Sequence, residues 1–246
     1  MSKQSEDVSS LNELAQLQLA PGHEFMDRII KRQLALQDSM RLTPVGGVIV
    51  PYDGISLSVL PTVFRPLPET FALTNYLFVR PKERVLDVCT GSGVIAINAA
   101  IKGAQSVIGL DVNPCSVKCA RKNAAHLGFG EIIDIRLSDV FDALSDDEKF
   151  DVVTVNPPFL DLAASDPSAR AFWDEDLYVH YRFFEGLSRH LAVNGRAYIC
   201  QANFSPLHLV ARMATDARFT LRLIGQTPMF DDIPEAQFLA FEIRRL

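Results

Sequence analysis

The sequence lacks long apolar runs. None approaches the ~20 consecutive apolar residues that a membrane-spanning helix needs. The first ten residues, MSKQSEDVSS, also lack the charged-then-apolar pattern of a secretory signal. These two absences predict a cytoplasmic protein without a membrane segment.

Cysteine is scarce, and its spacing does not suggest a metal site. The chain has 4 cysteines, and they form no paired C-x-x-C hooks. Cys115 and Cys119 lie near His126, but no fourth ligand follows at zinc-like spacing. We therefore expect reduced thiols and no bound metal.

Basic residues are fewer than acidic residues. The chain carries 24 Lys and Arg against 30 Asp and Glu, which gives a net charge of −6. An acidic chain is a poor electrostatic match for a polyphosphate, and no basic cluster stands out beyond segment 28–41. These numbers disfavour a nucleic-acid partner.

Apolar residues, in contrast, are abundant. The chain has 246 residues and is 48% hydrophobic, so it can bury one sizeable core and still carry a modest extension. A short apolar pattern at 11–19 precedes a helical periodicity that predicts an amphipathic helix over 24–42. We divide the chain into an N-terminal helical extension (1–45), a hairpin and proline-rich connector (46–80), and a main domain (81–246).

The connector and the main domain have different patterns. In the connector, Asp53-Gly54 between β-rich runs signals a hairpin, and a helix is predicted over 69–79. In the main domain, strands alternate with helices, which predicts an α/β fold with a parallel sheet. The strands are expected at 84–88, 106–110, 132–137, 151–155 and 196–201, and the helices at 94–102, 116–127 and 177–191. Two final strands, 219–227 and 237–244, predict an antiparallel hairpin at the sheet edge.

A glycine-rich turn follows the first strand of the main domain. Gly91, Gly93 and Ala96 satisfy G-x-G-x-x-A, and Asp111 follows about 20 residues later, where a ribose-binding carboxylate belongs. This spacing alone fits either a dinucleotide or S-adenosylmethionine. Asp87, just before the turn, would repel a pyrophosphate but suits the cationic amino-acid end of S-adenosylmethionine. Asp139 can accept a hydrogen bond from an adenine amino group.

The fourth strand of the main domain ends in Asn156-Pro157-Pro158-Phe159. Out of context, two successive prolines are most simply a rigid turn. At this edge of the sheet, however, the Asn156 side-chain oxygen and the Pro157 carbonyl can accept both N–H bonds of a planar amino or amide group. Phe159 can pack on that group, and in-line positioning can then supply roughly 7–11 kcal/mol of the barrier to methyl transfer.

Four stretches carry a resemblance to a known family. They are residues 63–70, 85–93, 110–114 and 155–159. With them the sequence resembles the class I S-adenosylmethionine-dependent methyltransferases, closest to the release-factor glutamine methyltransferase (HemK-type) family, over roughly residues 46–205. The resemblance implies a Rossmann-like, seven-stranded, mostly parallel sheet with a reversed last strand. It also implies S-adenosylmethionine as the cofactor.

The resemblance and the residue arguments together give a set of candidate site residues. The catalytic candidates are Asn156, Pro157 and Phe159. The cofactor-binding candidates are Asp87, Thr90, Gly91, Gly93, Asp111, Val112, Ser138, Asp139, Val140 and Asn156. The substrate-binding candidates are Pro66, Glu69, Thr70, Trp173, Tyr178 and Tyr181. The aromatic stretch 171–181 is equally compatible with a pocket wall and with core packing of a helix.

The sequence therefore favours an N-methyltransferase that acts on a planar amide or amino nitrogen of a protein glutamine or of a small molecule. Leu67 stands where the family has a basic residue, and the N-terminal part is short, so both acceptors stay open. Three other hypotheses also stay open. They are ring closure of S-adenosylmethionine with release of methylthioadenosine, an NAD-dependent oxidoreductase without an evident Tyr-x-x-x-Lys, and a non-catalytic binding protein.

Overall fold

A computed structural model describes residues 17–19 and 22–246. Most of the apolar pattern at 11–19 lies outside the described residues, as do the polar residues before it. A helix forms over His23–Arg41 (α1), close to the predicted range 24–42. Within the described part of the chain, no helix is both long enough and apolar enough to cross a membrane.

A seven-stranded sheet forms the centre of the protein. Its strands are Arg84–Val88 (β3), Ser106–Asp111 (β4), Ile133–Leu137 (β5), Phe150–Val155 (β6), Leu191–Ala202 (β7), Phe219–Phe230 (β8) and Ile233–Arg245 (β9). Their order across the sheet is β5-β4-β3-β6-β7-β9-β8, and all neighbouring pairs from β5 to β7 are parallel. The last strand, β9, runs antiparallel to both of its neighbours. The structure therefore has the expected mostly parallel sheet with a reversed last strand.

Helices cover both faces of this sheet and create two apolar clusters. On one face pack α1, Pro68–Thr74 (α2), Val94–Ile101 (α3) and Pro114–His126 (α4). On the other face pack Tyr178–His190 (α5) and Leu207–Asp216 (α6). Along the central strands, side chains that point to either face of the sheet are buried, as expected for a sheet covered on both sides.

Two elements differ from the sequence prediction. The α6 helix is not predicted, although Leu207, Val210, Ala211 and Ala214 are buried at helical spacing. The predicted helix 69–79 ends at Thr74, because the following segment becomes extended and buries alternate residues such as Leu77 and Val79. The helix propensities of these residues do not show that the chain becomes extended after Thr74, because tertiary packing causes the change.

The N-terminal helix belongs to the apolar cluster on one face of the main sheet, and the hairpin that follows it packs on α4. The predicted hairpin is present as Val48–Tyr52 (β1) and Ile55–Val59 (β2), with Asp53 and Gly54 at positive φ in its turn. In α1, Ile29 is fully buried and belongs to the same apolar cluster as α3. An edge-to-face contact between Phe25 and Phe204, with ring centroids 5.9 Å apart, also fixes α1.

Candidate active site

A cavity of about 540 Å³ opens at the carboxyl ends of β3, β4 and β6. This is the edge where ligands bind in open parallel sheets, and the volume falls in the usual range for small-molecule sites. The turns that follow β3, β4 and β5 line the cavity. The segment before α2 and the loop that begins at Asn156, after β6, line it as well.

The glycine turn after β3 gives the cavity its floor. Gly91 has φ +55° and lines the cavity, and a Cβ atom at this position would meet no atom of the described residues within 4 Å. The turn therefore leaves open space for a ligand to approach the backbone closely. Gly93 has φ +83° and a different role, because its Cβ would lie 2.9 Å from the Cβ of Ala120. Gly93 thus permits close packing of α3 on α4.

Asp111, at the end of β4, faces the cavity and holds two neighbouring backbone segments. Its Oδ2 accepts a hydrogen bond from Gly91 N–H (2.8 Å), and its Oδ1 accepts one from Asn113 N–H (2.9 Å). Loss of solvent contact raises the pKa of Asp111 despite these bonds. A carboxylate fixed in this way at the second parallel strand suits recognition of a ribose diol.

Ser138, Asp139 and Val140, which follow β5, form the next part of the wall. The Asp139 Oδ2 accepts a hydrogen bond from the Tyr178 hydroxyl (3.0 Å), and that hydroxyl accepts one from Arg182 (2.7 Å). The predicted adenine-binding acid is therefore joined directly to a tyrosine of the predicted substrate wall.

Asp87 lies beneath the glycine turn and does not line the cavity. Its carboxyl accepts hydrogen bonds of 2.7 Å from the hydroxyls of Thr90 and Thr154. Burial raises the pKa of Asp87 to about 6. In this structure Asp87 supports the turn from below, since its side chain is directed into the packing of β3 on β6.

Asn156 carries the most informative polar atom of the cavity. It follows β6 directly and lines the cavity. Its Oδ1 is buried and has no hydrogen-bond partner among the residues that the structure describes. A buried acceptor without a partner carries a desolvation penalty that a ligand N–H would remove. The two following prolines also line the cavity and restrict the backbone at this point.

Aromatic side chains close the remaining side. Phe159 lines the cavity and packs on Phe238 at a centroid distance of 5.4 Å. Trp173 lines the cavity and packs on Phe172, which contacts Phe64 in turn. The stretch 171–181 therefore contributes both to the cavity wall and to the core.

Most of the candidate site residues lie on this one cavity. They are Pro66, Thr70, Thr90, Gly91, Asp111, Val112, Ser138, Asp139, Val140, Asn156, Pro157, Phe159, Trp173 and Tyr178. The other four lie elsewhere: Asp87 and Gly93 as described above, Glu69 and Tyr181. Glu69 is fully buried beside Cys200, and the helical turn of α5 directs Tyr181 to solvent, where it is 57% exposed. Direct ligand contact is thus not supported for these four.

Several residues of the cavity are not among the candidates that the sequence suggests. They are Thr62, Phe64, Cys89, Asn113, Arg170 and Asp174. Asn113 has a recognisable signal, since Asn followed by Pro is typical of a helix N-terminus, and its side chain accepts a hydrogen bond from Cys115 N–H (2.9 Å). Asp174 has no such motif, because its position depends on how the loop after Asn156 folds back.

The charges on the cavity wall are mostly negative. The acidic residues of the wall are Asp111, Asp139, Asp174, Glu175 and Asp176. Arg170 is the sole lysine or arginine among the described residues that line the cavity. Such a wall attracts a cation and repels a polyphosphate. Together with the space above Gly91 and the Asn156 acceptor, these charges fit a cationic nucleoside better than a dinucleotide.

The chain is similar to known methyltransferases, which agrees with a cavity suited to a cationic nucleoside. Residues 68–219 match the family model described as methyltransferase small domain. A putative protein N5-glutamine methyltransferase of Methanocaldococcus jannaschii is 35% identical over 117 residues, which are 46% of this chain and 55% of that protein. A release factor glutamine methyltransferase of Cereibacter sphaeroides is 34% identical over 140 residues, 54% of this chain and 49% of that protein. The chain thus spans about half the length of these relatives.

A solved structure gives the same result for the fold. The tRNA m1G37 methyltransferase of M. jannaschii superposes with a TM-score of 0.59 at 18% identity and covers 81% of this chain and 55% of its own. At this identity the similarity concerns the fold alone. The Rossmann-like class I fold expected from the sequence is confirmed.

Proposed function

The chain belongs to the methyltransferase small-domain family, and we propose that it transfers a methyl group from S-adenosylmethionine to the side-chain amide nitrogen of a protein glutamine. The observation that carries this proposal is the buried Oδ1 of Asn156 on the cavity wall, which no described residue meets with a hydrogen bond. The names of the two curated relatives support glutamine as the acceptor. The hypotheses of ring closure and NAD-dependent oxidation receive no support from these relatives.

The residues present fit such a cofactor. Asp111 would hold the ribose, Gly91 would leave room for the methionine part, and Asp139 would lie near the adenine. When bound, S-adenosylmethionine supplies a methyl group made electrophilic by the sulfonium. The cavity's negative charge favours that cationic ligand.

The chain's own contribution to the reaction is to hold the acceptor nitrogen. An amide nitrogen is a weak nucleophile because its lone pair is delocalised into the carbonyl. Asn156 Oδ1 and the Pro157 carbonyl would each accept one of its N–H bonds, which orients the lone pair and stabilises the positive charge that develops on nitrogen. Phe159 would pack on the planar group. No base needs to act before attack, since the proton is lost once the new N–C bond has formed.

The proposal is tested with methyl-labelled S-adenosylmethionine and a glutamine-containing peptide, with an otherwise identical asparagine peptide as the control. Mass spectrometry should detect S-adenosylhomocysteine together with a methylated glutamine side chain. Absence of both products, or release of methylthioadenosine instead, would contradict the proposal.

The role of Asn156 is tested separately. We expect Asn156→Ala to lose turnover by about a hundredfold or more, by analogy with removal of one preorganised hydrogen-bonding group from other active sites. Affinity for S-adenosylmethionine should change by only a few-fold. The Asn156→Asp variant keeps an acceptor of the same size and should retain more turnover than Asn156→Ala. Near-normal turnover of Asn156→Ala would rule out the amide clamp.

A further inference from the structure

A continuous chain of buried polar side chains leads from the interior of the protein to the cavity wall. Ser205 Oγ donates to Gln201 Oε1 (3.1 Å), Gln201 Nε2 lies 2.8 Å from His180 Nε2, and His180 Nδ1 lies 2.6 Å from Asp174 Oδ2. Each of the four residues is at most 2% exposed. Asp174 alone of the four lines the cavity.

The backbone fixes the direction of the hydrogen bonds in this chain. Gln201 Nε2 lies 2.8 Å from the carbonyl oxygen of Cys200, so this atom of the side chain must be the NH₂ group. The opposite amide orientation would place two oxygens against each other. The Gln201 NH₂ therefore also donates to His180 Nε2, and that nitrogen carries no proton. His180 is thus a neutral imidazole whose proton is on Nδ1, where it donates to Asp174.

Asp174 consequently accepts hydrogen bonds on both carboxyl oxygens. Oδ1 accepts from Val179 N–H (2.8 Å), and Oδ2 accepts from His180 N–H (3.3 Å) as well as from His180 Nδ1–H. Acceptance at both oxygens is the arrangement of an ionised carboxylate. The network also fixes the carboxylate in one orientation on the cavity wall.

Among the described residues, this buried carboxylate has no lysine or arginine partner. In residues 17–19 and 22–246, its only salt-bridge contact is His180, which the Gln201 contact keeps neutral. A buried charge without a counterion is costly, so buried charges in proteins are normally paired. The negative charge of Asp174 also acts on the thiol of Cys89, the residue that follows β3. Burial and four carboxylates raise the pKa of the Cys89 thiol, and those carboxylates are Asp111, Asp174, Asp87 and Asp139.

We propose that Asp174 is the counterion for the cationic end of S-adenosylmethionine, and that His180 and Gln201 position it for this role. The inference rests on the proposed function and adds a named electrostatic partner for the cofactor. Two groups of the cofactor offer the required charge, the sulfonium and the amino-acid ammonium. The sequence pattern favours Asp87 for this task, but Asp87 lies beneath the glycine turn and does not line the cavity.

Calorimetric titration of the full chain with three nucleosides tests the inference. S-adenosylmethionine carries both cations, S-adenosylhomocysteine carries only the ammonium, and adenosine carries neither. For Asp174→Asn we expect S-adenosylmethionine to bind about 30-fold more weakly, the usual size of effect for truncating one partner of a desolvated charge pair. Adenosine should bind as it does to the unmodified protein. The matched control is Asp161→Asn, since Asp161 is an exposed acid of the same loop that does not line the cavity.

The three ligands also identify which charge is paired. If the loss is confined to S-adenosylmethionine, Asp174 faces the sulfonium; if S-adenosylhomocysteine loses equally, it faces the ammonium. An unchanged affinity for S-adenosylmethionine, or an equal loss of adenosine affinity, would overturn the inference. If Asp174→Asn does not fold, the ratio of S-adenosylmethionine to adenosine affinity in Asp174→Ser answers the same question. Failure of the unmodified protein to bind S-adenosylmethionine would instead contradict the proposed function.

Discussion

At the scale of single residues, buried carboxyl groups are the most unusual feature of the chain. Glu69, near the start of α2, is 1% exposed. Its Oε1 accepts hydrogen bonds from Leu67 N–H (3.2 Å) and the Thr70 hydroxyl (3.0 Å), but its Oε2 has no partner among the described residues. Burial raises the pKa of Glu69 to about 7. Its neighbour Thr70 lines the cavity, so this buried carboxyl group lies next to the active site.

The raised pKa of Glu69 gives a pH dependence of stability with a definite sign. The folded protein retains this proton up to about pH 7, whereas the unfolded chain releases it near its ordinary value of 4.5. The contribution of Glu69 is therefore fully present below the unfolded pKa and is lost as the pH rises through the folded pKa. Between about pH 5 and about pH 8 this loss is on the order of 2 kcal/mol.

Glu69→Gln should remove that part of the pH dependence, because the amide does not ionise. Urea unfolding at the two pH values measures the change in free energy of unfolding for each protein. The exposed Glu131 provides a matched control, and Glu131→Gln should keep the dependence of the unmodified chain. The same loss of stability with pH in Glu69→Gln as in the unmodified chain would show that Glu69 is not its source.

At the scale of elements, the loop between β6 and α5 is fastened to α1. Arg41, the last residue of α1, forms an ion pair with Asp166 (2.5 Å) and donates from Nε to the Ser168 hydroxyl (3.1 Å). Gln37 donates to the same hydroxyl (3.3 Å). Nearby loop residues Pro167 and Arg170 line the cavity. The N-terminal helix therefore holds one wall of the active site in place.

Removing this contact should loosen the loop without unfolding the protein. We expect Arg41→Ala to leave the thermal midpoint nearly unchanged, because exposed ion pairs contribute little to global stability. Trypsin should then cleave after the exposed Arg170 markedly faster, since proteolysis follows local opening. Arg32→Ala is the matched control, because Arg32 pairs with Asp232 at another point of α1. Equal cleavage rates at Arg170 in both variants would mean that Arg41 does not hold the loop.

The elements also show which parts of the structure the sequence can predict. Apolar periodicity predicts helix α1 and strands such as β3 to within a residue or two of their observed bounds. Positions next to a strand end, such as Asp111 and Asn156, were placed on the cavity because parallel strands end at one edge. The sequence does not indicate Asp174, because a long loop returns it to the cavity by tertiary packing. Glu69 lies outside the cavity lining, and the sequence does not show which side of a short helix faces the sheet.

At the scale of the whole molecule, the cavity joins segments that are far apart in sequence. Its wall combines the connector before α2, the turns after β3 and β4, and the loop that α1 holds. A ligand that bridges these segments binds only the folded chain, so it should stabilise the entire fold by mass action. The net charge of −6 and the acidic wall favour a cationic nucleoside over a nucleotide that carries a pyrophosphate.

S-adenosylmethionine and NAD should therefore differ in a thermal-shift experiment. At about 100 times its dissociation constant, a ligand adds about 2.7 kcal/mol, which for a chain of this size corresponds to roughly 5–10 °C in the unfolding midpoint. We expect a shift of this order for S-adenosylmethionine. NAD at the same concentration should shift the midpoint by less than about 1 °C, because the wall carboxylates repel its pyrophosphate. Asp111→Asn should lower the response to S-adenosylmethionine, whereas the exposed Asp134→Asn should not. A larger shift with NAD than with S-adenosylmethionine would reverse the assignment of the cavity, since its negative charge would then have failed to select against a diphosphate.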